Sequence, residues 1–383
     1  MAPHVEPLPC QRALFDLPVD VAYLNCAYMS PLLRASAEQG QADLARKLHP
    51  WTIHPDDFFT GSDQLRTLAA LLFGATADDV AIVPSVSYGI STAALNLPCA
   101  RGQRILVLAE QFPSNEYPWR RLADDKGAIV DTVAWPEDGD WTAAVLAKLA
   151  DDVAIAALPH TQWTSGGMLD LERIGAACRQ HGTALVLDLT QSLGALAFDA
   201  QRVQPDFAVA ACYKWLLGPY SLGVMYVAPK WQHGRPIEEG WIQRENSRDF
   251  TRLTDYTDTY DRGARRFDVG ERSNFALVGA ASKGMEQLLS WGVDRVSATS
   301  GALAAHLADR LAPHGIHALR EPLRAPHYLC LRGKQPWPAE LTKQLAEHHI
   351  HVSVRGSAVR VTPHVYNTIE EVDRLADVLL RTR

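Results

Sequence analysis

Short apolar runs alternate with amphipathic segments through the middle of the chain, between residues 80 and 227. Runs of this length with turn residues at their ends predict buried strands, and the segments between them predict helices near 85–97, 115–125, 140–150 and 170–181. This alternation of strand and helix indicates a mainly parallel sheet with helices on both faces. The predicted strands are Val80–Val83, Arg104–Ala109, Ala128–Ala134, Val153–Leu158, Ala184–Leu187, Phe207–Cys212 and Gly223–Val227.

The pattern changes on either side of this region. Residues 1–20 carry four prolines and predict an arm on the surface, and residues 230–272 show little periodicity, which is typical of a long active-site or interface segment. We predict an N-terminal arm at 1–20, a large domain at 21–272 and a small α+β C-terminal domain at 273–383. The other predicted elements are a short strand or turn within Tyr23–Leu32, helices at 33–48, 62–73, 274–311, 338–348 and Glu370–Leu380, and strands near 327–332, 350–354 and 358–362.

Composition and charge restrict the class of protein. Apolar residues make up 47% of the 383 residues and charged residues 21%, as expected for a globular chain, and the formal net charge of −7 argues against a general nucleic-acid binder. We read no signal peptide and no apolar run long enough to span a bilayer, so we predict a cytoplasmic protein. Six scattered cysteines without CxxC spacing predict reduced, mostly buried thiols: Cys10, Cys26, Cys99, Cys178, Cys212 and Cys330.

Two predicted strands end in opposite charges. Ala184–Leu187 is followed by Asp188, and Phe207–Cys212 is followed by Tyr213 and Lys214. Side chains at the ends of parallel strands usually reach a cleft at the carboxyl edge of the sheet. Pyridoxal phosphate needs this pair of charges, because a lysine forms a Schiff base with it and an aspartate keeps its pyridine nitrogen protonated. The sequence therefore predicts a pyridoxal phosphate site, although Asp188 alone could also be a helix N-cap.

Further residues extend this site. Gln191, three residues after Asp188, can hydrogen-bond the phenolate oxygen of the cofactor. Ser85, Val86 and Ser87 begin a helix directly after a strand, so the amides and hydroxyls of this helix N-terminus predict a phosphate site. Phe112 follows another strand end. Its ring would either stack on the pyridine or form a hydrophobic staple, and the sequence alone favours neither.

Several charged groups have two interpretations. Arg360 lies in an apolar predicted strand, where a buried arginine needs a partner, either the α-carboxylate of an amino acid substrate or a structural ion pair. The arginines within 242–272 either bind an acidic substrate side chain or belong to a solvated interface loop, and we favour the loop. His348, His349 and His351 have no acidic or cysteine companions, so we interpret them as a solvated helix end and predict no metal site.

Three motifs resemble those of the class V aminotransferase family of fold-type-I pyridoxal-phosphate-dependent enzymes. They are Asp188-Leu189-Thr190-Gln191, Tyr213-Lys214-Trp215-Leu216 and the segment from Arg360 to Thr368. The resemblance runs from about Tyr23 to Asn367, and the family includes cysteine desulfurases, kynureninases, isopenicillin N epimerases and C–S lyases. It implies a seven-stranded, mainly parallel sheet between helices, a small α+β C-terminal domain, and a homodimer with shared active sites.

The family pattern implies a role for each matching residue. Lys214 would carry the cofactor and move protons at the α-carbon of the substrate, Asp188 would contact the pyridine nitrogen, and Arg360 would bind the substrate carboxylate. The other implied cofactor contacts are Val86, Ser87 and Tyr213 at the phosphate, Phe112 at the ring, Gln191 at the phenolate oxygen, and Asn115 where kynureninases have an acid. From the neighbouring subunit, Trp241 would reach the cofactor, and either Ser273 or Asn274 would reach its phosphate.

Departures from the family pattern narrow the expected reaction. Cysteine desulfurases carry a nucleophilic cysteine on a loop just before the strand that holds the carboxylate-binding arginine. The corresponding residues 353–358 contain no cysteine, and Cys330 falls inside a predicted strand. The chain also has glutamine at position 191, where kynureninases have histidine. The chain therefore looks most similar to the epimerase-like and C–S-lyase-like members. Because the neighbouring members of the family lean towards lyase chemistry, the resemblance implies a lyase acting by β-elimination on an amino acid, with an epimerase, an aminotransferase or a non-catalytic cofactor-binding protein as alternatives.

Overall fold

The computed structural model describes residues 5–355 and 357–382. Its strands are β1 (Ala22–Tyr23), β2 (Val80–Val83), β3 (Arg104–Leu108), β4 (Ile129–Val133), β5 (Val153–Pro159), β6 (Ala184–Asp188), β7 (Phe207–Ala211), β8 (Gly223–Val227), β9 (Ile316–His317), β10 (Leu329–Gly333), β11 (Ile350–His351), β12 (Ser353–Arg355) and β13 (Ala358–Val361). Its α-helices are α1 (Arg34–Ala45), α2 (Asp57–Phe73), α3 (Val86–Asn96), α4 (Tyr117–Lys126), α5 (Trp141–Lys148), α6 (Leu171–His181), α7 (Ala200–Val203), α8 (Phe275–Trp291), α9 (Val293–Leu311), α10 (Leu341–Glu347) and α11 (Ile369–Arg381).

A seven-stranded sheet forms the centre of the molecule. Its strand order is β2-β8-β7-β6-β5-β3-β4, and β8 runs antiparallel to both of its neighbours whereas the other pairs are parallel. Every residue of β2, β7 and β8 is buried, because helices cover both faces of the sheet. The predicted mainly parallel α/β sheet is therefore confirmed. In its register, Asp188 stands beside Pro159 on one side and Val209 on the other.

Close packing fixes helix α3 against strand β7. A Cβ atom placed on Gly89 of α3 would lie 2.5 Å from Cγ2 of Val209, well inside van der Waals contact. Only glycine allows this approach, and an alanine at position 89 would force the helix away from the sheet. Strand β7 leads to Lys214, so the packing at Gly89 also determines how closely the first turn of α3 approaches that lysine.

A second, smaller set of strands lies in the C-terminal part of the chain. Strands β12, β13, β10 and β9 form an antiparallel sheet in that order, and helices α9 and α11 share its apolar core. Strand β1 joins this part, because Ala22–Tyr23 pairs in parallel with Ile350–His351. We propose the division into an arm at 1–20, a large domain at 21–272 and a small domain at 273–383, with β1 as a strand that the large domain contributes to the small one.

The segment 230–272 contains short 3₁₀ turns but no strand of either sheet. It is anchored by Asp268, whose side chain is fully buried and accepts hydrogen bonds from Arg66, Arg272 and the amide of Ile82. Two guanidinium groups and one amide thus neutralise and solvate a carboxylate that could not otherwise be buried. Within the described residues, no helix is both long and apolar enough to cross a membrane.

Candidate active site

A cavity of about 280 Å³ opens at the carboxyl edge of the large sheet. Strands β2, β3, β5, β6 and β7 all end at this edge, so the residues that follow them converge there. Seven predicted site residues line the cavity: Val86, Ser87, Phe112, Asp188, Gln191, Tyr213 and Lys214. Five others do not line it: Asn115, Trp241, Ser273, Asn274 and Arg360.

Lys214 presents its amine to this cavity from the loop after β7. The residue is only 6% exposed, and its Nζ lies 5.5 Å from the ring centroid of Phe112 and 5.4 Å from that of Tyr213. Burial lowers the pKa of the Lys214 amine to about 8, against a smaller opposite effect of Asp188. A buried amine with a lowered pKa is neutral in part near neutral pH, and a neutral amine is the nucleophile that forms a Schiff base.

Asp188 ends β6, the strand next to β7, and also lines the cavity. One of its carboxylate oxygens accepts a 3.0 Å hydrogen bond from the amide of Thr190, and burial raises the pKa of the carboxyl group. No helix begins there, since the next one is α7, so the N-cap interpretation of Asp188 is wrong. Among the described residues no ion pair forms between Asp188 and Lys214. The two opposite charges face one cavity without contact, which leaves space for a polar group between them.

Gln191 is held at the cavity wall by partners distant in sequence. Its Oε1 accepts a 3.0 Å hydrogen bond from the indole of Trp215, and its Nε2 donates to the carbonyl of Ala27 at 3.1 Å. The backbone carbonyl of Gln191 bonds the ring of the fully buried His327 at 2.8 Å. Because Trp215 fixes which end of the amide is the oxygen, the second hydrogen of Nε2 remains available as a donor at the cavity wall.

The first turn of α3 forms the third side of the cavity. Ser85 Oγ accepts from the amide of Tyr88 at 3.2 Å and lies 2.9 Å from Ser87 Oγ. The amides of Val86 and Ser87 belong to the first turn of the helix, where no intrahelical carbonyl can accept their hydrogen bonds. These amides, the Ser87 hydroxyl and the positive end of the helix dipole suit an anion such as a phosphate.

Phe112 and Asn115 lie on the segment after β3 but in different surroundings. The ring of Phe112 lines the cavity and meets the ring of Trp163 edge to face, with centroids 5.5 Å apart. This position beside the lysine amine favours ring stacking on a flat ligand over a hydrophobic staple. Asn115 is fully buried, and its Oδ1 accepts a hydrogen bond from Trp119 at 3.0 Å, whereas its Nδ2 has no acceptor within the described part of the chain.

Arg360 lies on β13 behind the cavity. It is 3% exposed, its Nη2 donates to Ser353 Oγ at 3.2 Å, and its guanidinium carbon lies 5.8 Å from the ring centroid of Tyr328. Its Nε has no hydrogen-bond partner, and no carboxylate of the described residues forms an ion pair with it. Arg360 therefore forms no structural ion pair within the described chain. A buried guanidinium with unused donors is suited to a carboxylate brought by a ligand.

Trp241, Ser273 and Asn274 lie together with the segment 230–272, away from this cavity. Trp241 is 41% exposed and packs against Phe58 and Phe250. Ser273 donates a hydrogen bond to the carbonyl of Phe58, and Asn274 caps α8 by accepting from the amide of Leu277. Within one chain these three residues make no contact with the cavity, so a role in cofactor binding requires a second subunit.

Cys330 is unsuited to act as a nucleophile. It lies on β10 in register with Arg360, is 4% exposed, and burial raises the pKa of its thiol to about 12. A thiol of this kind is almost entirely protonated near neutral pH and is shielded from substrate. Cys330 is therefore not placed to accept sulfur from a substrate, and a reaction without a cysteine persulfide stays a prediction.

Sequence reasoning did not identify four residues that also line the cavity: Thr161, Trp163, Thr190 and Tyr220. Thr161 and Trp163 follow β5. Side chains that follow parallel strands reach the cleft at the carboxyl edge of the sheet, so the argument that identified Asp188 also applies to these two residues. Thr161 Oγ1 is buried and has no hydrogen-bond partner among the described residues. Tyr220 is on the loop between β7 and β8, and its ring centroid is 4.7 Å from that of Tyr213.

These groups fit pyridoxal phosphate. The cavity offers an amine for its aldehyde, a carboxylate for its pyridine nitrogen and a helix N-terminus for its phosphate, with an aromatic ring beside the amine. The unpaired guanidinium of Arg360 behind the cavity matches the carboxylate of an amino acid. Each charged group of the cofactor and of the amino acid would thus meet an opposite charge or a set of hydrogen-bond donors.

Comparisons with known proteins agree with this geometry. A kynureninase of Shouchella clausii is 25% identical over 98% of this chain and 91% of its own. The structure of an apo cysteine desulfurase from Thermococcus onnurineus superposes with a TM-score of 0.83 at 19% identity, covering 98% of this chain and 99% of the other. A cystine C–S lyase in complex with its product cysteine persulfide gives a TM-score of 0.82 at 19% identity, over 94% and 97% of the two chains.

The two solved structures establish the shared fold. The sequence profile described as aminotransferase class-V matches residues 53–375, which includes every cavity-lining residue and Arg360. The chain therefore belongs to the class V aminotransferase family of pyridoxal-phosphate-dependent enzymes.

Proposed function

We propose that this enzyme binds pyridoxal phosphate as a Schiff base on Lys214 and catalyses β-elimination from an amino acid with a sulfur substituent on its β-carbon. The observation that carries the proposal is the buried Lys214 amine, which faces Asp188 across a cavity without forming an ion pair with it. When bound, the cofactor draws electrons away from the α-carbon of the attached amino acid. The remaining steps depend on residues of this chain.

In this proposal, each residue of the cavity has a defined task. The Asp188 carboxylate holds the proton on the pyridine nitrogen, and Gln191 Nε2 donates to the phenolate oxygen. The amides of Val86 and Ser87 and the hydroxyls of Ser87 and Tyr213 bind the phosphate. Phe112 packs on the pyridine ring, and Asn115 supports the segment that carries Phe112 through its bond to Trp119.

Substrate binding and proton transfer involve Arg360 and Lys214. Arg360 binds the α-carboxylate and so orients the α-carbon, and Lys214 Nζ, once released from the cofactor, removes the α-proton as a general base. Cleavage of the C–S bond then releases a thiol. Addition of one water to the remaining three-carbon unit yields pyruvate and ammonium, so that a cysteine S-conjugate and water become a thiol, pyruvate and ammonium.

The preference for a lyase rests on two observations. Residues 353–358 contain no cysteine, and the thiols of Cys330 and of Cys26, which lies beside the Lys214 carbonyl, are buried with raised pKa values, so none of these residues offers a thiolate to accept sulfur as in a desulfurase. A cystine C–S lyase shares the fold over most of both chains. We also propose a cytoplasmic homodimer, in which Trp241 and Ser273 or Asn274 of one subunit complete the cofactor site of the other.

A substrate screen tests the proposal. The purified enzyme, reconstituted with pyridoxal phosphate, is given a panel of amino acids that includes cysteine conjugates and sulfoxides, while pyruvate, ammonia and optical rotation are followed in parallel. A lyase produces pyruvate and ammonia in equal amounts. Loss of optical rotation without ammonia would assign an epimerase, and transfer of the amino group to an added keto acid would assign an aminotransferase. In either case the lyase proposal is wrong.

The Lys214→Ala variant tests the role of the lysine separately. It should lose both turnover and the visible absorbance of the Schiff base. Retention of that absorbance with full turnover in the purified variant would show that another amine carries the cofactor. Static light scattering tests the proposed homodimer, for which the expected mass is twice that of the 42.2 kDa chain.

A further inference from the structure

Trp163 forms a hydrocarbon wall of the cavity between the lysine and the carboxylate-binding arginine. Its ring lies 5.5 Å from that of Phe112, which itself contacts the Lys214 amine. On its other side, the backbone carbonyl of Trp163 accepts a 2.8 Å hydrogen bond from Tyr328, the residue over whose ring Arg360 lies. A substrate that reaches from Lys214 to Arg360 must therefore pass beside Trp163.

The orientation of Trp163 is fixed, with its polar atom turned away from the substrate. The indole nitrogen donates a 2.7 Å hydrogen bond to the carbonyl of Glu110. The next residue, Thr164, bonds the carboxylate of the same Glu110 at 2.8 Å, so the β3 and β5 loops are joined at two points. Since the N–H is already used, the ring offers only carbon atoms to the cavity, where an apolar side chain would pack and a carboxylate would lose water without compensation.

Within the described residues of one chain, the cavity lining offers no free cation to an acidic substrate side chain. Of the lining residues, only Asp188 and Lys214 are charged, and both act on the cofactor in the function proposed above. The arginines of the stretch 242–272 do not line the cavity and are engaged within their own segment or with neighbouring residues. The pairs are Arg244–Glu239, Arg248–Asp63, Arg252–Asp255, Arg262–Asp78 and Arg265–Asp78, and Arg266 donates to the carbonyl of Gly234.

We propose that Trp163 makes this enzyme prefer amino acids with an apolar β-substituent, such as S-alkyl or S-aryl cysteines, over amino acids with an acidic one. This inference rests on the proposed function, because it assumes that the substrate lies between Lys214 and Arg360. It assigns specificity to one residue that touches the substrate side chain.

Three cysteine conjugates of nearly equal size test the selectivity of the reconstituted enzyme: S-propyl-, S-(2-carboxyethyl)- and S-(2-aminoethyl)-L-cysteine. Binding is measured from the shift of the cofactor absorbance, and elimination from pyruvate release. The half-saturating concentration of the propyl compound should be on the order of 100-fold lower than that of the carboxyethyl compound, since the carboxylate would be buried without a partner. The aminoethyl compound should fall between the two, because an ammonium can pack on the face of the indole. If the carboxyethyl compound binds within threefold of the propyl compound, the selectivity inference is wrong.

Variants of Trp163 separate packing from folding effects. Trp163→Arg should reverse the order of the propyl and carboxyethyl compounds, because it supplies a positive charge at the wall. Trp163→Phe, which keeps a ring, should retain the wild-type order even if turnover falls. Trp51→Ala, at an indole that is 73% exposed, is the matched control and should change neither binding constant. An unchanged order in Trp163→Arg would overturn the assignment to this residue.

Failure of the selectivity and failure of the lyase proposal give different results. If the propyl compound shifts the absorbance at a concentration about 100-fold below that of the carboxyethyl compound but releases no pyruvate, the lyase proposal fails and the selectivity inference stands. If pyruvate forms equally from all three compounds at equal half-saturation, the lyase proposal stands and the selectivity inference fails. A panel in which no amino acid shifts the absorbance contradicts both.

Discussion

Replacement of Arg360 by methionine distinguishes its two interpretations by the sign of the change in stability. In the substrate-free protein the guanidinium is buried, donates to Ser353 Oγ and has no carboxylate partner in the described chain. Ser353 Oγ also donates to Asn25 Oδ1 at 2.8 Å, so it keeps a partner in the variant. Arg360→Met therefore removes one hydrogen bond and one uncompensated buried charge, and leaves no buried polar group unsatisfied.

The energies of the lost hydrogen bond and of the removed charge predict that Arg360→Met is as stable as the wild-type protein or more stable. The lost hydrogen bond contributes about 1 kcal/mol, whereas burial of an ion without a counter-charge costs several kcal/mol even after relaxation. We expect the free energy of unfolding of the cofactor-free protein, measured in urea, to stay the same or rise by ~1–3 kcal/mol. The substrate would lose two charge-assisted hydrogen bonds, together about 3 kcal/mol or more, so the half-saturating substrate concentration should rise by at least about 100-fold.

The matched control, Arg66→Met, should change the free energy of unfolding in the opposite direction. Arg66 is also fully buried, but it pairs with the buried carboxylate of Asp268 at 2.8 Å. Arg66→Met leaves the buried Asp268 carboxylate with only Arg272 and the Ile82 amide, and should lower the free energy of unfolding by about 1.5–3 kcal/mol. If Arg360→Met is destabilised to the same extent as this control while the half-saturating substrate concentration is unchanged, Arg360 has a structural role and the carboxylate assignment is refuted.

The remaining predictions concern Lys214, Trp215 and Cys330. Because burial lowers the pKa of Lys214 from 10.5 to about 8, cofactor uptake by the cofactor-free protein should reach half its maximal rate near pH 8, and a midpoint near 10.5 in stopped-flow absorbance would contradict this. The unfolded chain binds this proton more tightly, so the stability of that protein relative to Lys214→Met should rise from pH 8 to 10.5. Trp215→Phe deprives Gln191 Oε1 of its hydrogen-bond donor. The free energy of unfolding in urea should therefore fall by about 1–3 kcal/mol, and the midpoint of the pH titration of the Schiff base absorbance should shift. If both values are unchanged, Trp215 does not position Gln191. Cys330→Ala should keep pyruvate release within about twofold and lower stability by about 1 kcal/mol, whereas loss of turnover without unfolding would revive a persulfide mechanism.

The parts of the site that could be predicted from the sequence are those fixed by local pattern. The runs that end at Asp188 and Lys214 are continuous and apolar because both faces of the sheet are covered, so their ends could be read directly. The serines at the start of α3 have the composition of a helix N-terminus. Helix α2 was less well predicted. It begins at Asp57, five residues before the predicted start, because Phe58 and Phe59 pack against Trp241 in a cluster that no local pattern reveals.

The remaining features depend on contacts between distant parts of the chain. Nothing near Gln191 in the sequence indicates that Trp215, Ala27 and His327 hold it in place. Whether Phe112 stacks on a ligand or forms a hydrophobic staple depends on the position of Trp163. Whether Arg360 binds a substrate carboxylate or forms a structural ion pair depends on whether a carboxylate of the chain lies beside it. These questions concern which partner is present in space, and propensity and periodicity carry no information about that.

The pairing of β1 with β11 has a consequence for the order in which the enzyme forms during synthesis. Beyond this pair, Thr362 bonds the backbone of Leu24 and Cys26, and the segment that follows carries Ala27, which holds the side chain of Gln191. A chain is made from its N-terminus, and such widely separated partners close late in folding. The large sheet can therefore assemble on the ribosome while residues near 25 still wait for strands near 350–362. Competence to hold the cofactor arises only after those strands have emerged.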